Sequence, residues 1–504
     1  MSKVFLVGAG PGDPGLITVK GRQAIERADV VIYDYLAAPE LLSFAQPEAE
    51  LIYVGKKGGE HTLSQSGIND LIVAKARAGR TVTRLKGGDP FIFGRGGEEA
   101  EELRAAGIAF EIVPGVTSAV AAPAYAGIPL THRRHNTSVA FVTGHEDPTK
   151  EASTIDWAAL ATGIGTVVFF MGVKNLPQIV ANLCAHGRPQ DTAVALIRWG
   201  TTPRQQTVTG TLATIEARVK AAGLKAPAII VVGGVVTLRE TLRWFEERPL
   251  FGKRILVTRA RAQASQFVSE LTELGAHCIE LPTIRIVPPE DWGPLDAAIQ
   301  ELPRYQWIVF TSVNGVKFFF ERLYAQNLDA RALGHLKTAA IGPATADRLK
   351  QFGLSTDILP ENYRAESVVT AFGQQALSSQ RILLPRAREA RTVLPRELTR
   401  MGAEVREVTA YRTQAVPGQA DQLRKLLDAQ AIDMVTFTSS STAKNFAALL
   451  PEGAPQKLLE GVRIASIGPI TTDTAGELGF KVDLTADTYT IPGLCQAIRD
   501  YYAP

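Results

Sequence analysis

Cysteine is scarce in this sequence. Its 504 residues include three cysteines, Cys184, Cys278 and Cys495, which are too few and too widely spaced for a disulfide framework or a cysteine-based zinc site. Long apolar runs are also absent: the longest, 228–236 and 166–171, fall well below the roughly 18 residues that span a bilayer. The N-terminus lacks the apolar stretch of a signal peptide. We therefore expect a cytoplasmic protein with no membrane partner.

A large excess of either charge is absent as well. Lys and Arg number 54 and Asp and Glu 51, so the chain lacks the basic surplus typical of nucleic-acid-binding domains, and we expect no nucleic-acid partner. Hydrophobic residues make up 45% and charged residues 21%, which excludes a disordered chain. At roughly 100–200 residues per domain, the length predicts two to four domains.

Short runs rich in Val, Ile and Phe alternate with longer segments rich in Ala, Leu, Glu and Arg. This alternation predicts an α/β fold. At 246–252 the apolar pattern gives way to charge, Pro and Gly, and a new strand begins at Arg254. We place the main boundary there, which gives domains 1–248 and 249–504.

The second domain contains an internal repeat. Three segments recur 126 or 127 positions later: 254–260 as 381–387, 310–312 as 437–439, and 341–345 as 467–471. Because Ser, Thr and Gly-Pro turns recur together with the apolar residues, a chance coincidence of generic strand patterns is the weaker explanation. The repeat predicts two similar α/β lobes, with a ligand site lined by strand-end Thr, Ser and Arg side chains.

The turn after the first strand is rich in glycine, and it invites comparison with a dinucleotide-binding turn. Such a turn needs a helix that opens within it and presents free N–H groups to a pyrophosphate. Pro11 and Pro14 have no N–H and delay any helix to about Thr18. A dinucleotide site and a purely structural turn remain alternatives, but we favour a backbone-lined pocket for another adenosine-bearing ligand.

A second glycine-rich loop follows the strand at 81–85. The segment 84–98 combines five charges with five glycines. Gly87 and Gly88 permit close approach of a ligand to the backbone, and Asp89 can accept hydrogen bonds from an ammonium or a ribose hydroxyl. A solvated loop is the alternative interpretation, although loops of this length in compact domains are more often functional.

These motifs resemble a known family over about residues 3–246. The segments 7–14, 84–98, 113–118 and 124–132 resemble uroporphyrinogen-III C-methyltransferase, an S-adenosylmethionine-dependent tetrapyrrole methylase. The second domain resembles uroporphyrinogen-III synthase through its duplicated lobes and the segment 408–413. The resemblance implies a tetrapyrrole methylase-like two-lobed α/β unit followed by a duplicated two-lobed α/β synthase unit.

The methylase resemblance also implies site residues. Asp34 is implied as the acceptor of the proton that each methylated ring loses, with Lys56 as a proton donor; an ion pair or a substrate-holding role for both is the alternative. It implies S-adenosylmethionine as the cofactor, and the contacts to it fall on Pro11, Gly87, Gly88, Asp89, Ile92, Thr117, Ser118, Met171 and Gly200.

Substrates of this family carry many carboxylates, so basic side chains are expected around the pocket. Arg133 and Arg134 are suited to bind carboxylates, although an exposed charged turn explains them equally well. His132 and His135 lack a third ligand, and the reaction needs no metal, so we predict no metal site.

The synthase resemblance implies closure of linear hydroxymethylbilane to uroporphyrinogen III without a cofactor. Tyr411 is suited to act as the general acid for the departing hydroxyl, because a phenol stays protonated at neutral pH; a packed aromatic is the equal alternative. Hydroxyl groups expected to bind the substrate belong to Thr311, Ser312, Thr438, Ser439 and Thr471.

The two resemblances together predict a bifunctional enzyme that makes uroporphyrinogen III and methylates it twice to precorrin-2, for sirohaem or cobalamin synthesis. A homodimer through the first domain is expected from the family. Two alternatives remain: a dinucleotide-dependent oxidoreductase, and a methyltransferase whose second domain binds tetrapyrroles without catalysis.

Overall fold

The structure is a computed structural model, and it describes residues 3–55, 63–145, 154–258, 261–361, 365–373, 377–416, 418–451 and 455–503. Contacts divide the chain into two compact units. The first unit comprises Met1–Arg254, Glu270–His277 and Tyr502–Pro504, and the second comprises Ile255–Ser269 and Cys278–Tyr501.

The first half of the first unit is built on sheet I, whose five strands run parallel in the order β3-β2-β4-β1-β5. Apolar side chains cover both faces, as expected for a parallel sheet between helices. Because the strands are parallel, the loops that follow them meet at one edge of the sheet. Its elements are β1 Val4–Gly8, α1 Val19–Glu26, β2 Val30–Tyr33, β3 Glu50–Tyr53, α2 Gln65–Arg77, β4 Val82–Lys86, α3 Gly96–Ala105, β5 Phe110–Val113 and α4 Ser118–Tyr125.

Helix α1 begins where the prolines of the first turn allow it. Pro14–Leu16 forms a short 3-10 turn, and the Thr18 side chain then caps α1 by accepting the N–H of Gly21 at 3.0 Å. The predicted delay holds for the α-helix, which starts at Val19, although a short 3-10 helix already begins at Pro14.

Sheet II completes the first unit with mixed strands in the order β6-β7-β10-β8-β9. β6 and β7 are parallel, whereas β10 runs antiparallel to both β7 and β8. Its elements are β6 Val139–Thr143, α5 Trp157–Thr162, β7 Thr166–Phe170, α6 Leu176–Ala185, β8 Ala193–Arg198, β9 Gln206–Thr211, α7 Ile215–Ala221, β10 Ala228–Val232 and α8 Arg239–Leu242.

Two further sheets form the rest of the fold: sheet III, in the order β12-β11-β18-β19-β20, and sheet IV, in the order β13-β17-β16-β14-β15. The elements are β11 Arg254–Val257, α9 Arg261–Glu273, β12 His277–Glu280, β13 Ile284–Val287, α10 Gly293–Gln300, β14 Trp307–Phe310, α11 Val313–Ala325, β15 Lys337–Ala340, α12 Pro343–Gln351, α13 Ala365–Phe372, β16 Arg381–Ala387, α14 Val393–Arg400, β17 Glu404–Ala415, α15 Gln419–Asp428, β18 Met434–Phe437, α16 Ser440–Ala447, α17 Pro455–Leu458, β19 Arg463–Ser466, α18 Pro469–Glu477, β20 Leu484–Thr485 and α19 Ile491–Tyr502.

The sequence repeat does not coincide with the sheets. The repeat pairs β11 with β16 and β14 with β18, yet β11 lies beside β18 in sheet III and β16 lies beside β14 in sheet IV. Each sheet therefore takes strands from both copies of the repeat. The predicted α/β class with two similar lobes is confirmed, but the copies exchange halves, which a comparison of repeated segments cannot show.

Candidate cofactor and substrate sites

Three loops of sheet I come together through their backbones. Gly10 and Gly88 exchange two hydrogen bonds, with N···O distances of 3.2 and 2.7 Å, and their φ angles of +78° and +71° favour glycine. A Cβ on Gly115 would lie 2.4 Å from the carbonyl oxygen of Gly88. Gly87 and Gly88 thus lie beside the Gly10–Pro11 turn, where these loops contact one another through their main chains.

Asp89 fastens this arrangement. Its side chain is buried, at 8% exposure, and its two carboxylate oxygens accept the N–H groups of Phe91 at 2.8 Å and Gly115 at 2.9 Å. The loop after β4 is thereby tied to the loop after β5. Thr117 and Ser118, at the start of α4, lie next to the same point, since a Cβ on Gly88 would stand 3.8 Å from the Ser118 nitrogen.

A turn of sheet II, Trp199–Thr202, closes on these loops. A Cβ on Gly12 would lie 2.7 Å from the Thr202 methyl carbon, and a Cβ on Gly200 would lie 2.3 Å from that of Ala122 in α4. Glycine is therefore required at both positions by close packing. The structure thus brings Gly200 next to the loop that contains Pro11 and Gly12.

Ile92 and Met171 also come from the two sheets of the first unit. Ile92 packs against the core of sheet II, and the ring of its neighbour Phe93 lies 4.8 Å from that of Phe170. Met171 follows β7 directly and is 54% exposed. The loop after β4 therefore reaches from sheet I to the end of β7.

Strained backbone is concentrated in these loops. In the described part of the first unit, the non-glycine residues with positive φ are Phe93, Arg95, Met171, Trp199 and Thr201. Such conformations cost free energy and persist at functional sites, where the surrounding structure imposes them. The sequence patterns gave no indication of Trp199 or Thr201, because residue type does not signal a positive φ at an aromatic or β-branched position.

Asp34 lies after β2 and is held from two sides. Its Oδ1 accepts the Leu36 N–H at 3.1 Å, and its Oδ2 lies 3.3 Å from a terminal nitrogen of the buried Arg84. The side chain is 26% exposed, so the carboxylate still faces solvent or a ligand. This geometry is compatible with both of the roles weighed for Asp34, a proton acceptor and a member of an ion pair.

A buried charge cluster stands behind Asp34. Glu99 of α3 accepts hydrogen bonds on Oε1 from Lys86 at 2.6 Å, from Gln65 at 3.1 Å and from Arg84 at 3.4 Å. Burial, with the neighbouring Arg84, lowers the pKa of Lys86. The sequence indicated no role for Glu99, because it lies in an acidic segment typical of a solvated helix. The feature that could have revealed it is the presence of two cations, Arg84 and Lys86, inside a central strand, since buried cations need a buried counter-ion.

Three residues predicted for the methylase site remain: Lys56, Arg133 and Arg134. Lys56 lies outside the described residues. Arg133 and Arg134 are exposed in the turn between α4 and β6, where the Arg134 N–H donates to His132 Nδ1 at 3.3 Å. The described ranges contain no group of three or more His, Cys, Asp or Glu side chains arranged to hold a metal ion.

In the second unit, Tyr411 and Ser312 meet although they are 99 positions apart. Their hydroxyl oxygens lie 2.9 Å apart, and the Tyr411 ring stacks on Phe318 with centroids 6.0 Å apart. Burial raises the pKa of Tyr411, and its hydrogen bonds to Ser312 and Asn314 oppose that shift. Tyr411 is thus a packed aromatic that also carries a hydrogen-bonded, protonated phenol.

The other predicted hydroxyl groups divide between the two sheets of the fold's second half. Thr311 follows β14 in sheet IV, whereas Thr438 and Ser439 follow β18 in sheet III. Ser439 caps α16 by a reciprocal capping box with Thr442. Thr471 is 5% exposed within α18, so burial limits its access to a ligand.

Main-chain groups gathered at the carboxyl ends of parallel strands, with the Asp34 carboxyl group on a neighbouring loop, define an α/β enzyme with a small-molecule site. Among the described residues, no helix has the length and apolar composition needed to cross a membrane.

Comparison with known proteins agrees with this class. Residues 3–216 match the tetrapyrrole (corrin/porphyrin) methylases, and residues 265–496 match uroporphyrinogen-III synthase HemD. The chain is 37% identical over 497 residues to the porphyrin biosynthesis protein HemD of Ruminiclostridium josui, which covers 99% of this chain and 97% of that protein.

Two methyltransferases are also similar. The uroporphyrinogen-III C-methyltransferase of Bacillus subtilis (strain 168) is 43% identical over 359 residues, or 71% of this chain and 74% of that protein. The S-adenosyl-L-methionine-dependent uroporphyrinogen III methyltransferase of Methanosarcina barkeri is 53% identical over 240 residues, or 48% of this chain and 94% of that protein.

The chain belongs to the tetrapyrrole methylases through its first half and to the uroporphyrinogen-III synthases through its second, and it shares this full length with a porphyrin biosynthesis protein HemD. The resemblance seen in the sequence motifs is confirmed.

Proposed function

We propose that this chain is a bifunctional enzyme of tetrapyrrole synthesis. The domain at 249–504 closes hydroxymethylbilane to uroporphyrinogen III, and the domain at 1–248 transfers two methyl groups to that product to give precorrin-2. The observation that carries the methylase proposal is the cluster of contacting glycine backbones and strained residues at the ends of β1, β4, β5 and β8; we infer that this cluster lines a cofactor pocket.

S-adenosylmethionine fits this pocket. The close approach of Gly88 to Gly10 leaves main-chain groups rather than side chains at the edge, and Pro11 and Pro14 remove the N–H groups that a pyrophosphate needs. When bound, the cofactor supplies an electrophilic methyl group on a sulfonium. The residues that would hold it are Pro11, Gly87, Gly88, Asp89, Ile92, Thr117, Ser118, Met171 and Gly200.

The chain's own contribution to methyl transfer is alignment and the handling of a proton. Methylation leaves a positive charge on the attacked pyrrole, and the ring system must then lose a proton to become neutral. Asp34 is proposed to accept this proton on its carboxylate, which also contacts the Leu36 N–H and Arg84. Lys56 is proposed as the proton donor. The loops that would bind the cofactor and the substrate would bring donor and acceptor together, which would convert an encounter of two molecules into a step within one complex.

The macrocycle requires an apolar surface and a basic rim. Exposed apolar side chains occur on the loops after β2 and β4: Tyr35, Leu36, Phe91 and Phe93. Solvent-exposed aromatic groups in one region mark a binding surface rather than a core. We assign them to the pyrrole faces of the substrate, and Arg133 and Arg134 to its carboxylates.

In the synthase domain, Tyr411 is proposed to donate the proton to the departing hydroxyl. Its raised pKa keeps the phenol protonated, and Ser312 orients the O–H group. Thr311, Thr438 and Ser439 are proposed to bind carboxylates of the linear substrate, whereas the burial of Thr471 assigns it a structural role in α18.

A single assay with the full chain tests both activities. Hydroxymethylbilane is supplied first alone and then with isotopically labelled S-adenosylmethionine, and the products are separated and weighed by mass spectrometry. We expect the isomer III porphyrinogen in the first reaction and a doubly labelled product in the second. Formation of isomer I alone would reject the synthase assignment, and unlabelled isomer III would reject the methylase assignment.

The variant Asp34→Asn tests the proton acceptor. We expect turnover to fall by roughly 100-fold or more, as for the loss of a general base, while the cofactor dissociation constant changes little. Unchanged turnover at saturating substrate would contradict the role of Asp34.

We further propose that the enzyme works in the cytoplasm as a homodimer through its first domain and supplies sirohaem or cobalamin synthesis. Light scattering of the full chain tests the dimer: a monomer mass at micromolar concentration would contradict it.

A further inference from the structure

A continuous chain of hydrogen bonds runs behind the cofactor pocket. Glu246, just beyond α8, accepts hydrogen bonds on Oε1 from Gln205 at 2.8 Å and from Thr207 at 2.7 Å, and its other oxygen pairs with Arg239. The Gln205 side-chain oxygen accepts the N–H of Thr201 at 2.9 Å. The Thr201 hydroxyl in turn accepts the N–H of Asp13 at 3.0 Å.

The chain continues into the turn after β1. Asp13 Oδ1 accepts the Gly15 N–H at 2.8 Å, and its Oδ2 accepts the Tyr125 O–H at 2.7 Å. Burial and the hydrogen bond to Asp13 raise the pKa of Tyr125, so the phenol stays a donor. Asp13 is therefore fixed by sheet II on one side and by α4 on the other.

Thr201 is the strained member of this chain. Its φ of +71° is a genuine outlier for a β-branched residue, and both its N–H and its hydroxyl are engaged with partners from other segments. Thr201 and Gln205 are 2% and 5% exposed, so their polar groups have no access to water if a partner is lost. A conformation of this kind persists only where its surroundings impose it.

We propose that Thr201 and Gln205 are positioning residues for S-adenosylmethionine: they hold the Trp199–Thr202 turn in its strained conformation and so set the spacing between Gly200 and the Pro11 loop. This inference rests on the proposed methylase function. Neither side chain touches the cofactor in this role. Glu246 anchors the pair from the segment that ends the first domain.

Two substitutions in the full chain remove the links. Gln205→Met keeps the length of the side chain but leaves the Thr201 N–H without an acceptor, and Thr201→Val keeps the shape but removes the acceptor for the Asp13 N–H. Cofactor affinity is measured by titration calorimetry, and folding by the melting temperature. We expect both variants to raise the dissociation constant at least about tenfold, which corresponds to about 1.4 kcal/mol.

Two further variants separate positioning from general stability. Thr207→Val removes another hydrogen bond to the same Glu246 oxygen without touching the turn, so it should lower the melting temperature while the dissociation constant stays within about twofold, or about 0.4 kcal/mol. Thr201→Ser keeps the hydroxyl and should bind the cofactor like the unmodified chain.

The outcomes distinguish this proposal from the proposed function. Unchanged affinity in Gln205→Met and Thr201→Val overturns the positioning role, as does equal weakening in Thr207→Val or weakening in Thr201→Ser. Absence of cofactor binding by the unmodified chain instead overturns the methylase assignment itself.

Discussion

The buried Glu99 offers the sharpest test of how the first unit is held together. Its side chain is fully buried, and one oxygen receives hydrogen bonds from Lys86, Arg84 and Gln65. The substitution Glu99→Gln keeps the size of the side chain and removes its charge. Two buried cations then share Asp34 as their remaining acidic partner.

The magnitude follows from the contacts. At an effective dielectric constant of about 20, unit charges 2.6 Å apart attract by about 6 kcal/mol, and part of this is offset by desolvation. Removing one partner of a buried ion pair typically costs about 3–5 kcal/mol, because the other charge stays buried without compensation. We expect the free energy of unfolding of the first unit to fall by about that amount.

Urea unfolding of the full chain measures this loss. The transition that moves to higher urea on addition of S-adenosylmethionine belongs to the first unit, since a ligand stabilises the unit that binds it. Glu99→Gln should lower the midpoint of that transition by about 1–2 M. Turnover should fall as well, because Glu99 holds Arg84, which holds Asp34.

Glu98→Gln is the matched control. It removes the neighbouring charge, which pairs with Arg95 on the surface, and an exposed pair of this kind contributes about 0–1 kcal/mol. An unfolding midpoint for Glu99→Gln equal to that of Glu98→Gln would refute the reasoning.

Three further predictions concern other parts of the chain. Asp89→Ala removes the acceptor of two backbone N–H groups and should weaken cofactor binding, as measured by calorimetry. Asp29 precedes β2, at the edge of sheet I opposite the loop that contains Asp89, so Asp29→Ala should leave the affinity unchanged. Equal affinities in the two variants would contradict the proposed position of the cofactor site. Tyr411→Phe keeps the stacked ring but loses the phenol, so cyclisation should slow by roughly 100-fold, measured by chromatography of the porphyrinogen isomers; unchanged turnover would exclude the acid role. Two lysine partners lower the pKa of Glu111 from its ordinary 4.5 to about 2, so its stabilising contribution is present above pH 4.5 and is lost as the pH falls towards 2. The melting temperature of Glu111→Gln should therefore lie below that of the unmodified chain at pH 5 and converge with it near pH 2; a constant difference would contradict this assignment.

The sequence predicts those parts of the fold that depend on local chemistry. Pro11 and Pro14 determine where α1 can begin, and the structure starts that helix directly after Thr18. The alternation of apolar runs and helical segments likewise predicts the α/β class, because strands buried between helices are apolar on both faces.

The parts that the sequence leaves open depend on contacts between distant segments. The partnership of Glu246 with Gln205, and of Thr201 with Asp13, joins residues that no spacing rule connects. Neither does composition separate the buried Glu99 from its exposed neighbour, since both lie in one acidic stretch. These choices are made by tertiary packing, which overrides local preference.

The exchange of strands between the two copies of the repeat determines how the two lobes of the second domain, built on sheets III and IV, are connected. The chain passes from sheet III to sheet IV near Thr283 and returns near Val416, and the Val416 N–H donates to the Thr283 carbonyl at 3.2 Å. The lobes are therefore joined by two adjacent, hydrogen-bonded chain segments rather than by one. A proteolytic cut in one of these segments would therefore leave the lobes attached through the other.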